Sequence, residues 1–116
     1  MLEFICYPKC TTCQKAQKWL EDNKIDYRLR DIKQSNPSLD ELTDWYKRSG
    51  LPIKRFFNTS GLLYKSLDLK NKLSNMSEAE MLNLLSTDGM LVKRPILVCD
   101  DKILVGFKEV EWEAIK

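Results

Sequence analysis

The chain has 116 residues, 43% of them hydrophobic and 31% charged, with four Gly and four Pro, which is material for one buried core and too little for two. Nineteen basic residues stand against seventeen acidic ones, and the formal charge of +2 provides no electrostatic footprint for nucleic acid. Histidine is absent, so imidazole cannot serve as base, orienter or metal ligand, and Ser-His-Asp and Cys-His nucleophile systems are excluded.

Leu2 to Cys6 is a short apolar run that stops at Tyr7-Pro8 and predicts a buried first strand. Thr11 to Asn23 carry Cys13, Ala16 and Leu20 at helical spacing, with Trp19 alongside and Gln14, Lys15, Lys18 and Glu21 largely opposite. That is an amphipathic helix. From Ile25 the period changes to two, with Ile25, Tyr27 and Leu29 turned one way and Asp26, Arg28 and Arg30 the other, which predicts a half-exposed second strand. Strand, helix and strand with tight connections make a right-handed βαβ unit.

Residues 35 to 90 read as a helical insert. Ser38-x-x-Glu41 is a capping box ahead of Leu39, Leu42, Trp45 and Tyr46, and the stripe ends before Gly50 and Pro52. A second box, Ser77-x-x-Glu80, precedes Met81, Leu82, Leu84 and Leu85, with Asp88-Gly89 closing the element. Between them the patterning is weak: Asn58-Thr59-Ser60-Gly61 is loop-like and Leu62 to Leu69 fits a short helix. The end returns to strands. Pro95 to Cys99 is a continuous apolar run, Asp100-Asp101 a turn, and Ile103-Leu104-Val105 a strand ending at Gly106, together an antiparallel hairpin. Glu109 to Lys116 is a final short helix with Val110, Trp112 and Ile115 as its buried residues. The apolar stretch Met90 to Val98 is broken by Lys93 and Arg94, and residues 2 to 8 contain Glu3 and no basic leader. Neither a membrane span nor a secretory signal is predicted, and the reducing cytosol is the expected compartment.

Chemistry then falls to cysteine. Of Cys6, Cys10, Cys13 and Cys99, the pair in Cys10-Thr11-Thr12-Cys13 sits where the first strand gives way to the first helix. Cys10 falls at or next to the N-cap, where the free N–H groups of the first turn stabilise a thiolate. Residues i and i+3 lie on neighbouring sides of a helix, so the two sulfurs can reach bonding range. Cys13 shares the Ala16 and Leu20 face and is expected to be the less exposed partner with the higher pKa, leaving Cys10 to attack and Cys13 to resolve. Lys9 and Lys15 add positive potential or are ordinary solvated charges. The spacing Cys6-x-x-x-Cys10-x-x-Cys13 also matches the radical-SAM cluster motif, but that chemistry needs a larger barrel and a free loop. A four-cysteine zinc site is the other alternative, with Cys99 distant in the chain. Cys6 and Cys99 read best as small core residues.

Three segments, Cys6-Tyr-Pro-Lys-Cys-Thr-Thr-Cys-Gln-Lys-Ala16, Leu91-Val-Lys-Arg-Pro-Ile96 and Val105-Gly-Phe-Lys-Glu-Val110, together resemble the ArsC/Spx family, and the likeness spans essentially the whole chain. The resemblance implies an α/β, thioredoxin-like fold in a single domain over residues 1–116. Its four-stranded mixed sheet would carry the insert at about 35–90 between strands two and three. It further implies a cis Pro95 facing the cysteine loop and Arg94 near the Cys10 sulfur, where a guanidinium stabilises a thiolate or a bound oxyanion. Cys10, Cys13 and Arg94 are then the catalytic candidates, with Thr11, Thr12 and Pro95 shaping the site. Arsenate reductases of this kind surround one cysteine with three arginines, whereas here only Arg94 persists and the other two positions fall near Asn58 and Gly106. Arg55, Lys93 or Lys108 could replace them, though lysine lacks the bidentate geometry. The second cysteine resembles the Spx-like branch, in which the pair forms a reversible disulfide that switches binding to the RNA polymerase α-subunit, and Gly50 matches a contact glycine there or is a helix C-cap. The expected function is thiol-disulfide exchange, with redox regulation through polymerase and arsenate reduction as alternatives. No metal or organic cofactor is expected, the thiol donor being glutathione, thioredoxin or glutaredoxin. The expected partner is a small thiol or disulfide, or the polymerase α C-terminal domain, for a monomer that contacts neither nucleic acid nor membrane.

Overall fold

In the computed structural model, which describes residues 2–116, β1 (Leu2–Cys6) lies inside a four-stranded sheet. It pairs in parallel with β2 (Tyr27–Asp31) and antiparallel with β3 (Ile96–Val98), which in turn pairs antiparallel with β4 (Ile103–Val105). The order β2-β1-β3-β4 is the mixed, thioredoxin-like sheet expected.

Both faces of β1 are covered, so Phe4, Ile5 and Cys6 are buried in succession without alternation, while Glu3 near its start is half-buried and lies 3.6 Å from Arg30. Successive side chains of the strand serve two cores. Phe4 and Cys6 turn toward α1 (Thr11–Asp22), meeting Cys13, Ala16, Leu20 and the buried Trp112. Ile5 turns the other way, into a core built with Leu42, Trp45, Met81 and Leu85. Ile96 and Leu97 on β3 divide between the same two cores.

β2 begins two residues later than the alternation suggests, and Leu29, expected inward, is 53% exposed. Two causes are visible. Lys24 takes the left-handed conformation at φ 56°, with Ile25 N–H donating to Leu20 O (3.0 Å) and Lys24 N–H to Glu21 O (3.0 Å). This Schellman termination uses Ile25 to close α1 instead of to start a strand. β2 is also the sheet edge, so its outer positions find no neighbour.

The segment between β2 and β3 holds α2 (Leu39–Ser49), α3 (Leu62–Ser66), α4 (Leu69–Lys72) and α5 (Glu78–Thr87). Both capping boxes are formed, Ser38 with Glu41 and Ser77 with Glu80. Gly50 closes α2 in the left-handed conformation at φ 69°, the C-cap role. Arg30, assigned by alternation to the solvent side, instead forks onto Glu41 at 2.7 and 2.9 Å and donates to Ser35 O and Asn36 O, tying β2 to the N-terminus of α2.

The last helix, α6 (Glu109–Trp112), is a single turn continued by a 3₁₀ turn over Glu113–Ile115. Trp112 is fully buried and its Nε1–H donates to Gly106 O (3.1 Å). Val110, expected inside, is 80% exposed. Residues two apart on a helix point to nearly opposite sides, so Val110 faces out once Trp112 faces in. Among the described residues no helix is long and apolar enough to cross a membrane.

Candidate thiol site

Tyr7, Pro8 and Lys9 turn the chain from β1 into α1, closed by Cys10 N–H donating to Tyr7 O (2.9 Å). Cys10 is the N-cap of α1 at φ −84° and ψ 124°, and its carbonyl accepts the first helical hydrogen bond from Gln14 N–H (3.0 Å). Its side chain makes no capping hydrogen bond. The half-buried sulfur therefore stands at the positive end of a twelve-residue helix, and Thr11 and Thr12 beside it are exposed. Gln14 braces the turn by donating from Nε2 to Pro8 O (2.9 Å).

Cys13 is the inner partner, 1% exposed, and its sulfur accepts the Tyr7 backbone N–H at 3.4 Å. Hydrogen bonding with Cys6 and burial push its thiol far above the ordinary value. The predicted asymmetry between an accessible sulfur and a buried neutral one is present in burial and in hydrogen bonding.

Pro95 is buried and joined to Arg94 by a cis peptide bond, and its carbonyl accepts Gly106 N–H (2.8 Å) at the start of the hairpin. Arg94 does not hydrogen-bond Cys10. Its guanidinium lies over the Tyr7 ring, 5.1 Å from the centroid, with Nη1 4.0 Å from Met90 Sδ. It also lines a cavity of about 570 Å³ together with Asn58, Gly61, Leu62 and Met90. The guanidinium thus bridges the cysteine loop and this cavity.

Of the two positions at which the resemblance led us to expect arginine, Asn58 is buried and accepts from Ser60 Oγ (3.3 Å), and Gly106 is left-handed at φ 78°. The Lys93 side chain passes beside Gly106, with Cε 3.5 Å from where a Cβ would stand. Arg55 and Lys108 are exposed. Among the described residues no group of three or more cysteines and carboxylates is arranged to hold a metal ion.

Sequence reasoning missed Tyr7, whose backbone holds Cys13 and whose ring holds Arg94. Cys6 is the buried core residue expected, and it shares its apolar cluster with Cys13, whose proximity lowers the Cys6 thiol pKa against the opposing effect of burial. Cys99 is buried just past the end of β3, in the same apolar cluster as Cys6 and Cys13, its thiol pushed up by burial.

A four-stranded mixed sheet with Cys10 capping the first helix, Cys13 inside it, and a cis proline just ahead of the strand β3 that neighbours β1 defines a thioredoxin-like protein. Residues 6–115 match the ArsC family, and the chain belongs to it. It is 51% identical over 112 residues to the uncharacterized protein YusI of Bacillus subtilis, covering 97% of this chain and 95% of that one. It is 31% identical to the regulatory protein MgsR of the same organism, over 95% of this chain and 86% of the other. An ArsC family related protein from Bacteroides fragilis has the same structure at a TM-score of 0.98 and 53% identity, over 99% of this chain and 97% of that one.

Proposed function

We propose that the protein is a cytoplasmic thiol-disulfide exchange enzyme whose working pair is Cys10 and Cys13. The observation that carries this is the placement of the pair, with Cys10 half-exposed at the N-cap and Cys13 buried one turn inward with its thiol held neutral. Cys10 as thiolate attacks a small disulfide, forming a mixed disulfide and releasing one thiolate. Cys13 then attacks Cys10 Sγ, its proton passing to the second leaving thiolate, and the 10–13 bond closes. Two electrons have moved from the protein dithiol to the substrate. A donor thiol such as glutathione, or a thioredoxin or glutaredoxin, reverses the closure, and no metal or organic cofactor takes part. Arg94, next to the loop, stabilises the developing thiolates, and Thr11, Thr12 and Pro95 shape the approach.

Multiple turnover of a small disulfide with a thiol donor, lost in Cys10→Ser, tests this reading. The likeness to MgsR favours a second one, in which the same disulfide changes affinity for the RNA polymerase α C-terminal domain. Oxidation-dependent binding to that domain without turnover would establish it. Arsenate reduction has the weakest support, because with Asn58 and Gly106 in place only Arg94 remains of the three expected guanidiniums, and the Lys93 side chain beside Gly106 lacks the bidentate fork.

A further inference from the structure

We propose that Cys6 is a third member of the exchange, taking Cys13 over from Cys10 so that the disulfide moves from 10–13 to 6–13. This rests on the pair acting as proposed above.

The geometry supplies the contact. Cys6 ends β1 on the face that packs on α1, 2% exposed, and shares one apolar cluster with Cys13, with Cys10 packed at its margin. The Tyr7 N–H that holds Cys13 Sγ at 3.4 Å belongs to the peptide formed with the Cys6 carbonyl, so Cys13 sulfur is pinned beside Cys6. Cys13 therefore has one cysteine toward solvent and another toward the sheet. The two thiols are shifted in opposite directions, Cys6 down and Cys13 up, each with the other as the largest cause, which fits this contact.

The step balances without an outside oxidant. Cys6 sulfur attacks Cys13 Sγ as its proton departs. The bond between Cys13 and Cys10 breaks, the electron pair leaves on Cys10 Sγ as a thiolate, and the proton given up by Cys6 is the one that this sulfur takes. The number of disulfides is unchanged. The bridge is now buried between strand and helix, away from external thiols, and Cys10 is again free to attack.

The test uses the full chain oxidised by glutathione disulfide without oxygen, quenched in acid, denatured and blocked with N-ethylmaleimide. Trypsin cuts after Lys9 and Lys15, so a 10–13 bridge is a loop inside peptide 10–15, whereas a 6–13 bridge ties that peptide to peptide 1–9. The expected result is both species, with the maleimide on Cys10 in the tied one. Cys6→Ala should keep the loop and lose the tied species; the wild-type map decides alone if that variant does not fold. Oxidised wild type showing only the internal loop overturns the role of Cys6, as does a tied species whose fragmentation places the bond on Cys10. That leaves the Cys10 and Cys13 reading intact. Wild type that forms neither species overturns the pair itself, and the transfer with it.

Discussion

The guanidinium of Arg94 rests on the ring of Tyr7, 5.1 Å from its centroid, and so couples the segment before β3 to the turn that carries the cysteines. A cation on an aromatic face keeps its charge while losing freedom, an arrangement worth about 0.5–2 kcal/mol. The ring thereby holds a positive group next to the site without neutralising it, as a carboxylate partner would.

Arg94→Ala should therefore slow the reaction of Cys10 with a small disulfide at neutral pH by about tenfold, or about 1.4 kcal/mol of barrier. Tyr7→Leu, which frees the guanidinium without removing it, should cost less, and Arg94→Lys should recover only part of the rate because lysine lacks the planar stacking surface. Stopped-flow rates of the three variants check the order. Equal rates in wild type and Arg94→Ala would remove Arg94 from the mechanism.

The two cysteines should separate cleanly. Iodoacetamide should modify Cys10 first in the folded dithiol protein and leave Cys13 unmodified until unfolding, given its burial and its raised pKa. Cys13→Ser should accumulate the mixed disulfide on Cys10, visible as a mass increase, since nothing one turn inward then releases it. Preferential labelling of Cys13 would reverse the assigned roles.

Glu41 gives the acid limb of stability a defined origin. The Arg30 fork, with the Ser38 backbone N–H adding to it against some burial, lowers its carboxyl from 4.5 to about 2. A depressed carboxylate stabilises the fold fully above its unfolded pKa and loses that contribution as pH falls through the folded one, so this contribution fades between pH 4.5 and about 2. Because Glu41 is partly exposed, solvent screening reduces its size. Arg30→Ala should cost about 1–3 kcal/mol at pH 7, through the lost charged hydrogen bonds, and should flatten the pH dependence in that window. Urea titrations from pH 2 to 7 on both proteins read this directly.

Two glycines should behave differently on substitution by alanine. A Cβ at Gly89 would stand 1.8 Å from Ile32 O, a backbone atom held at the end of β2, so Gly89→Ala should destabilise by about 2 kcal/mol or more. At Gly61 the first obstacle is Asn58 Nδ2 at 2.6 Å, the end of a side chain. Gly61→Ala should fold with a smaller loss and displace Asn58 in the cavity beside Arg94, altering KM for a small disulfide more than kcat. Thermal unfolding of both variants decides the ranking.

Amino-acid order alone determined what depends on near neighbours. The capping boxes of α2 and α5, the apolar run of β1, the left-handed Gly50 and the placement of Cys10 at the start of α1 each involve residues within a few positions, so the local pattern already carries their free energy. What tertiary structure decided is who meets whom across the chain. Leu29 faces out because β2 is the sheet edge, Val110 because Trp112 occupies the core, and Arg30 is a strut because Glu41 comes to it from the next helix. Arg94 reaches Tyr7 only because β3 lies beside β1, and Cys6 becomes a neighbour of Cys13 only because the first helix packs back onto its own strand. Contacts of that kind are fixed by how the layers pack, and no window of neighbouring residues encodes them.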